Sequence, residues 1–411
     1  MSRTDVRMSG FRERSTTEET LQWLDQTVAD IPMSTETVDL TQATGRVLGT
    51  DVVSTIEVPG FDRSAMDGFA VRSHETVGAT DYSPIQLSII GDSFPGEPFH
   101  GEVQAGQAVR IMTGAPIPAG ADAVVPAEFT RIDEHQVEIA SPIPQRKNIG
   151  KVGEDIRGGA TVLNSGRVLR PQDVGVLASI GIAEVCVRKR PHVRIIVTGN
   201  ELALPGESKT EFQIYEANSF LLRGLITRDG GVLEKVKYIQ DDRESIAQAL
   251  AEPGADVILV SGGTSVGAED FAPNLVRELG ELPIHGIAMR PSSPTGLGRI
   301  KRALVCLLPG NPVSCLCAYD FFAGRAIRLL GGKSAEWPYR KANGILGRKV
   351  ASAIGRLDYC RVAVEGETVT PLAISGASIL SSTTRADGFL IVPTDHEGMV
   401  EGSHVEFYRY D

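Results

Sequence analysis

Long apolar runs are missing from this 411-residue chain. No stretch of about 18 consecutive apolar residues occurs, so no membrane-spanning helix is expected. The start, Met1 to Glu19, carries basic residues but lacks the apolar segment of a secretory signal, which points to a cytoplasmic protein. Cysteine is scarce. Cys186, Cys306, Cys315, Cys317 and Cys360 are odd in number and sit in apolar surroundings, which suits reduced core thiols rather than a disulfide framework. Cys315 and Cys317 are one residue apart with no histidine pair at zinc-finger spacing, so no zinc site is expected there. None of the seven histidines pairs with a serine or cysteine in a nucleophile motif. Excess positive charge is lacking too: the net charge of −11 disfavours general nucleic-acid binding, while a local anion site can still be basic. What is present is 42% hydrophobic residues over a length that calls for two to four domains.

Ser15 or Thr16 followed by Glu18 or Glu19 forms a capping box, and Leu21, Leu24 and Val28 continue as one helical stripe. Val58 to Val71, VPGFDRSAMDGFAV, holds Asp62 and Asp67 and follows no period of 2 or 3.6; it is either a functional loop or a packed Ω-loop. From Ser83 to Ile139 short β runs predict a small β domain, with strands at Ile85–Ile90, Ala108–Met112 and Val137–Ile139. Thr113-Gly114 follows one of these strands, as a ligand-facing hydroxyl or a loop staple. Asp155, in NIGKVGEDIRG, is a ligand or metal carboxylate or a turn residue. A helix with proline in its first turn is predicted over Pro171–Ile180.

From Val193 strands and helices alternate. Strands are predicted at Val193–Val197, Val232–Ile239, Val257–Val260, Ile284–Met289 and Ala303–Leu308. Helices are predicted at Ser219–Arg228 behind Asn218 as N-cap, and at Arg243–Ala251, Asn274–Leu279 and Val313–Leu330. This rhythm implies a mostly parallel sheet covered on both faces, with ligands outside the carboxyl ends of its strands. Those ends carry Thr198 to Glu201, Asp241-Asp242, Ser261 to Asp270, Arg290 to Pro294 and Pro309 to Pro312. The run VILVSGGTSVGAEDFAP reads as strand, Gly-rich loop and helix start, a place for a ligand to meet main-chain N–H groups. Beyond Gly331 strands are predicted at Tyr359–Val364, Glu367–Pro371, Phe389–Pro393 and Val405–Tyr408, giving a C-terminal all-β domain.

Taken in order, VPGFDRSAMDGFAV, RIMTGAPIPAGADAVV, GEDIRGG, TGNELALPGE, SGGTSVGAED and LLPGNPVS resemble the molybdopterin molybdenumtransferases, the MoeA family that includes the gephyrin E domain. The resemblance implies a multidomain α/β plus β fold. Its parts are an elongated linker domain (residues 1–52 and 140–190), an inserted small β domain (53–139), a parallel-sheet molybdopterin-binding α/β domain (191–331) and a C-terminal β-barrel (332–411). It implies a homodimer that joins molybdate to adenylylated molybdopterin, releases AMP and uses Mg2+. The partner proteins it brings in are a molybdopterin adenylyltransferase and molybdoenzyme apoproteins.

Carried over residue by residue, the catalytic positions resemble Asp67, Thr113, Asp155, Glu201, Asp242 and Asp270, with Asp67, Asp242 and Asp270 as metal carboxylates. Ser261, Gly262, Gly263 and Ser265, with Pro309, Gly310, Asn311 and Pro312, resemble the pterin-phosphate cradle. Arg290, Ser293, Pro294 and Arg361 resemble the oxyanion pocket. Asn200 stands where aspartate is frequent, Ser292-Ser293 where many members carry Gly-Lys, and Ala377 where serine is usual. Two other classes share parts of this pattern, an adenylyltransferase-like enzyme and a non-catalytic scaffold. Acids at all five catalytic carboxylate positions, and three domains beyond the α/β one, favour the transferase.

Overall fold

The computed structural model describes residues 14–264, 271–373 and 376–410; Ser265, Asp270 and Ser375 lie outside the described residues. The chain divides into two compact units. One holds residues 37–44 and 48–186; the other holds the segment up to Glu36, residues 45–47, and the chain from Val187 onward.

The second unit begins with helix α1 (Thr17–Ala29), closed by the expected capping box. Thr16 accepts from the Glu19 N–H at 3.1 Å, and Glu19 accepts from the Thr16 N–H at 2.9 Å. Its Leu24 and Val28 join the same core as residues 193–389, and Asp25 pairs through both oxygens with Arg325 at 2.7 Å. The opening segment, expected with residues 140–190, thus packs its helix onto the α/β region.

In the 37–186 unit a six-stranded sheet forms from β1 (Gly68–Val71), β2 (Ile85–Ser93), β3 (Gln107–Ile111), β4 (Ala123–Pro126), β5 (Thr130–Asp133) and β6 (Gln136–Ile139), in the order β4-β1-β3-β2-β6-β5. β1 was hidden inside the aperiodic Val58–Val71 stretch. All four of its residues are buried, Phe69 and Val71 toward one core and Ala70 toward another, so no alternation marks it. Gly68 is required there, since a Cβ would stand 1.9 Å from the Val125 carbonyl oxygen. Helix α2 (Pro171–Ser179) follows with proline in its first turn.

The α/β region runs β7 (His192–Thr198), α3 (Asn218–Asp229), β8 (Val232–Ile239), α4 (Arg243–Ala251), β9 (Val257–Ser261), α5 (Ala272–Leu279), β10 (Glu281–His285), β11 (Gly296–Ile300), β12 (Ala303–Leu308), α6 (Pro312–Ala318) and α7 (Gly324–Leu330), with a π turn at Tyr319–Ala323 between the last two. The sheet order is β8-β7-β9-β12-β11-β10. Its first four strands are parallel, and β11 pairs antiparallel with both β12 and β10. The strand expected over Ile284–Met289 is two elements: β10 stops at His285, and Met289–Arg290 pairs instead with Leu357–Asp358 of the next domain.

That domain is built from β13 (Arg340–Leu346), β14 (Leu357–Glu365), β15 (Thr368–Ala373), β16 (Gly388–Val392) and β17 (His404–Arg409), which close into a ring in the order β14-β15-β13-β17-β16-β14. It joins the α/β region through aromatic contacts. Trp337 meets Phe321 at 4.8 Å, Tyr408 at 4.7 Å and Phe389 at 5.3 Å between ring centroids, all edge to face.

Beside these rings lies a buried charge network. Asp320 accepts from Arg228 at 2.9 Å and from the Tyr339 hydroxyl, and Asp229 accepts from Arg228 and Arg328 at 2.9 Å each. Both carboxylates are wholly buried at the side chain. Burial works against the Arg228 charge, but Asp320 and Asp229 outweigh it and hold its pKa above the ordinary value. Removing one carboxylate leaves a desolvated cation without its counter-charge. Asp320→Ala is expected to cost about 3–5 kcal/mol, read as a lowered thermal midpoint, whereas exposed Lys341→Ala leaves the midpoint nearly unchanged.

Candidate functional site

The chain passes from β7 through α3 to β8 on one side of β7, then through α4 to β9 on the other. The strand order therefore reverses between β7 and β9, the place where open α/β sheets bind ligands at their carboxyl edge. Here the backbones converge. Gly262 has φ +93°, and a Cβ on it would stand 2.2 Å from the Thr198 carbonyl oxygen; Gly263 also has positive φ. Any side chain at 262 would force the two loops apart. The Leu308 carbonyl accepts from the Gly262 N–H at 3.4 Å and from the Thr264 hydroxyl at 3.3 Å, which brings in the β12 loop.

Asn218 ties the loops together. Its amide donates to the Ser261 hydroxyl and to the Gly310 carbonyl, both at 2.8 Å. It was expected to cap α3, but Glu216 does that, accepting from the Ser219 N–H at 2.8 Å and its hydroxyl at 2.6 Å. An asparagine beside a helix start reads as a cap in sequence, and only the sheet shows what it faces. Ser261 is 2% exposed, with its hydroxyl set against Asn218 and the Cys315 thiol, so it holds the cradle from beneath. Gly262, Gly263, Gly310, Asn311 and Pro312 are partly or fully exposed, while Pro309 is buried. Thr198 Oγ1 and Asn218 Oδ1 are buried without a hydrogen-bond partner among the described residues. Polar atoms of this kind beside a glycine cradle suit a polar ligand.

On the flanking loops Glu201 is exposed. Asp241 accepts from the Asn200 N–H at 3.2 Å while Asn200 Oδ1 accepts from the Asp241 N–H at 3.2 Å, a reciprocal clasp between the β7 and β8 ends. Asp242 serves as the N-cap of α4, accepting from the Ser245 N–H at 2.8 Å. The Ser245 hydroxyl and N–H hold its carboxyl below the usual range. Of the adjacent pair, Asp241 is thus the acid joined to the β7 loop, a choice that periodicity cannot make.

In the other unit Asp67 and Thr113 meet. One Asp67 oxygen accepts from both the N–H and the hydroxyl of Thr113 at 2.7 Å, the N–H first among the causes that hold its carboxyl below the usual range. Asp155 is exposed on a neighbouring loop, its N–H bonded to the Val58 carbonyl at 3.1 Å. Both Asp67 and Asp242 have depressed folded-state pKa values. Their stabilising bonds are therefore complete above about pH 4 and are lost only as pH falls through the lower folded values.

In the expected oxyanion pocket, Arg290 pairs with Asp358, a wholly buried carboxylate that also accepts from Ser352 at 2.7 Å and Arg356 at 3.0 Å. Arg361 is 2% exposed in β14. Burial pushes the Cys360 thiol up to about 12, and both arginines lie near enough to oppose it. Pro294 is half-buried. Ser292 has φ +87°, and its hydroxyl donates to the Ser314 carbonyl of α6 at 2.5 Å. Ser293 Oγ is buried with no hydrogen-bond partner among the described residues. Ala377 accepts the Val313 N–H at the start of α6 at 3.0 Å, so its backbone reaches the β12 end of the crevice.

This sheet and crevice define a molybdopterin-binding α/β domain: residues 194–328 match the family described as "Probable molybdopterin binding domain". Residues 15–181 match the MoeA N-terminal region (domain I and II), and residues 343–410 the MoeA C-terminal region (domain IV). Molybdopterin molybdenumtransferase 2 of Mycobacterium tuberculosis is 34% identical over 386 residues, covering 90% of this chain and 94% of that one. Molybdopterin molybdenumtransferase of Haemophilus influenzae is 33% identical over 385 residues, covering 91% and 93%. A crystal structure of the molybdopterin biosynthesis MoeA protein from Pyrococcus horikoshii superposes with a TM-score of 0.83 at 32% identity, covering 97% of this chain and all of that one. The chain belongs to the MoeA family of molybdopterin molybdenumtransferases.

The close approach at Gly262 sets a direct expectation. Gly262→Ala places a methyl group against the Thr198 carbonyl at a positive φ, so it lowers the thermal midpoint and weakens pterin binding together. Asp242→Ala lowers the midpoint through the lost cap and Asp242→Asn restores most of it, because asparagine caps as well as aspartate. Differential scanning fluorimetry with and without pterin separates these outcomes.

Proposed function

We propose that this chain inserts molybdate into adenylylated molybdopterin and releases AMP, as a step of molybdenum cofactor biosynthesis. The observation that carries the reading is the glycine crevice at the β7/β9 reversal, clamped by Asn218, in a chain of this family. In it Gly263, Gly310 and Asn311 offer backbone donors to the pterin phosphate, Gly262 lets the loops approach one another, and Ser261, Pro309 and Pro312 shape the loops; the resemblance assigns Ser265 to the same cradle. Glu201, Asp67, Asp155 and Asp270 act as the working carboxylates, Thr113 orients Asp67, and Asp242 keeps the β8 end in place. Cleaving the phosphoanhydride with water releases AMP and leaves the phosphate on the pterin.

Mg2+ usually takes one or two carboxylates plus substrate phosphates. The exposed Glu201 has that chemistry in the α/β unit and the half-committed Asp67 has it in the other unit, and the ion would neutralise phosphate charge. Arg290, Arg361 and Ser293 hold molybdate, with the unpartnered Ser293 hydroxyl as the neutral donor. The sequence division into four domains, a homodimeric assembly and a cytoplasmic site of action complete the proposal. No described helix is long and apolar enough to cross a membrane.

Purified protein given adenylylated molybdopterin, molybdate and Mg2+ is expected to release AMP and form cofactor. Given ATP and molybdopterin instead, it forms no adenylylated product; the opposite pattern assigns the adenylyltransferase. Asp67→Ala reduces turnover at least about a hundredfold, while Thr113→Val reduces it less. If both variants simply unfold, Asp67 is a structural staple. Ser293→Lys, adding a charged donor, lowers the molybdate concentration for half-maximal rate about tenfold at low salt and less at high salt. An unchanged value places the oxyanion elsewhere.

A further inference from the structure

The amino edge of the same sheet, beneath the starts of β7 and β8, holds a cleft of about 220 Å3. Arg46, Arg188, Arg190 and Lys333 line it, together with Asp229 and Gly230. The seven residues of β7 separate it from Thr198, roughly 20 Å along an extended strand. It is therefore not part of the crevice.

The charges in this cleft do not balance. Arg46 is engaged by Glu36 and by the Arg188 carbonyl at 2.9 Å. Asp229 is held between Arg228 and Arg328 at 2.9 Å each. Arg188, Arg190 and Lys333 have no ion pair or side-chain hydrogen bond among the described residues. Burial depresses the Lys333 pKa; Asp229 opposes this, while Arg190 and Arg328 add to it. Burial and then Arg46 depress that of Arg190, while Glu36 opposes them. Helices α3 and α7 both end at the cleft, and each terminus carries roughly half a negative charge. Together they offset one of the three cations and leave about two positive charges facing one space. The overall charge of −11 makes such a cluster a local feature that its surroundings do not require. Gly230, at φ +92°, leaves room for the Lys333 amine, since a Cβ there would stand 2.7 Å from Nζ.

We propose that this cleft binds a tetrahedral dianion of the phosphate class, free or as the terminal group of a small phosphomonoester, at a site separate from the crevice. Two uncompensated cations match a dianion, and cation-to-oxyanion hydrogen bonds are the strong ones. The cleft has a volume of about 220 Å3. That admits a phosphate with a short ester tail.

Equilibrium dialysis of the full chain with inorganic phosphate at low ionic strength tests the site, with glycerol phosphate as a second arm. Lys333→Met and Arg190→Gln keep the side-chain stems and remove the charges. Each is expected to weaken phosphate binding about tenfold or more, with AMP release retained and a melting point no lower than that of the parent chain. Tighter binding of glycerol phosphate assigns the ester, and equal or weaker binding assigns the free ion. If the variants bind phosphate as the parent chain does, or if chloride at equal ionic strength abolishes all binding to the parent chain, the proposal is overturned.

Discussion

The missing side chain at Gly262 is the constraint on which the crevice of the α/β region depends. Only without a Cβ does the β9 loop lie against the Thr198 carbonyl, and only then do the ends of β7, β9 and β12 share one space. The Asn218 amide converts that proximity into a fixed arrangement by bonding a hydroxyl of one loop and a carbonyl of another. A crevice built from main-chain groups needs such ties, because glycine loops have much conformational entropy to lose on ordering.

A second constraint acts where the α/β region meets the β ring. Aromatic edges and a buried network of Asp229, Asp320, Arg228 and Arg328 join them. Such a network is specific because each charge is tolerable only with its partner in place. It lies near α6, which starts at the crevice; the Ser314 carbonyl of α6 accepts the Ser292 hydroxyl, and the Val313 N–H donates to the Ala377 carbonyl. The residues expected to form an oxyanion pocket come from segments distant in sequence: Arg290 follows the sheet's edge strand, Arg361 lies in β14 with the Asp358 that pairs with Arg290, and Ser293 lies between.

The departures from family pattern acquire physical meaning in this setting. Ser292 holds a left-handed conformation that glycine adopts without strain, and its hydroxyl bond to Ser314 offsets part of that cost. Ser293 brings a buried hydroxyl with no hydrogen-bond partner among the described residues to the position where the family resemblance implies a lysine in many members. Ala377 contributes through its backbone, which any residue supplies. Asn200 replaces an acid yet still accepts the Asp241 N–H.

Sequence alone determined the fold class, the parallel core strands and the family. Val257–Val260 and Ala303–Leu308 are unbroken apolar runs that lead into glycine- and proline-rich loops, and motif order carried the rest. It also marked the loops that hold the candidate site, because glycine and carboxylates at strand ends are chemically conspicuous. It did not show that Gly68–Val71 is a strand, because burial on both faces erases alternation. Nor did it show that the chain at Met289 leaves the sheet for the β ring, because strand pairing is a long-range choice. The division of labour between Asp241 and Asp242, or between Glu216 and Asn218, was equally hidden. Those roles depend on which way each side chain points across a turn, and only the packed tertiary structure sets that direction.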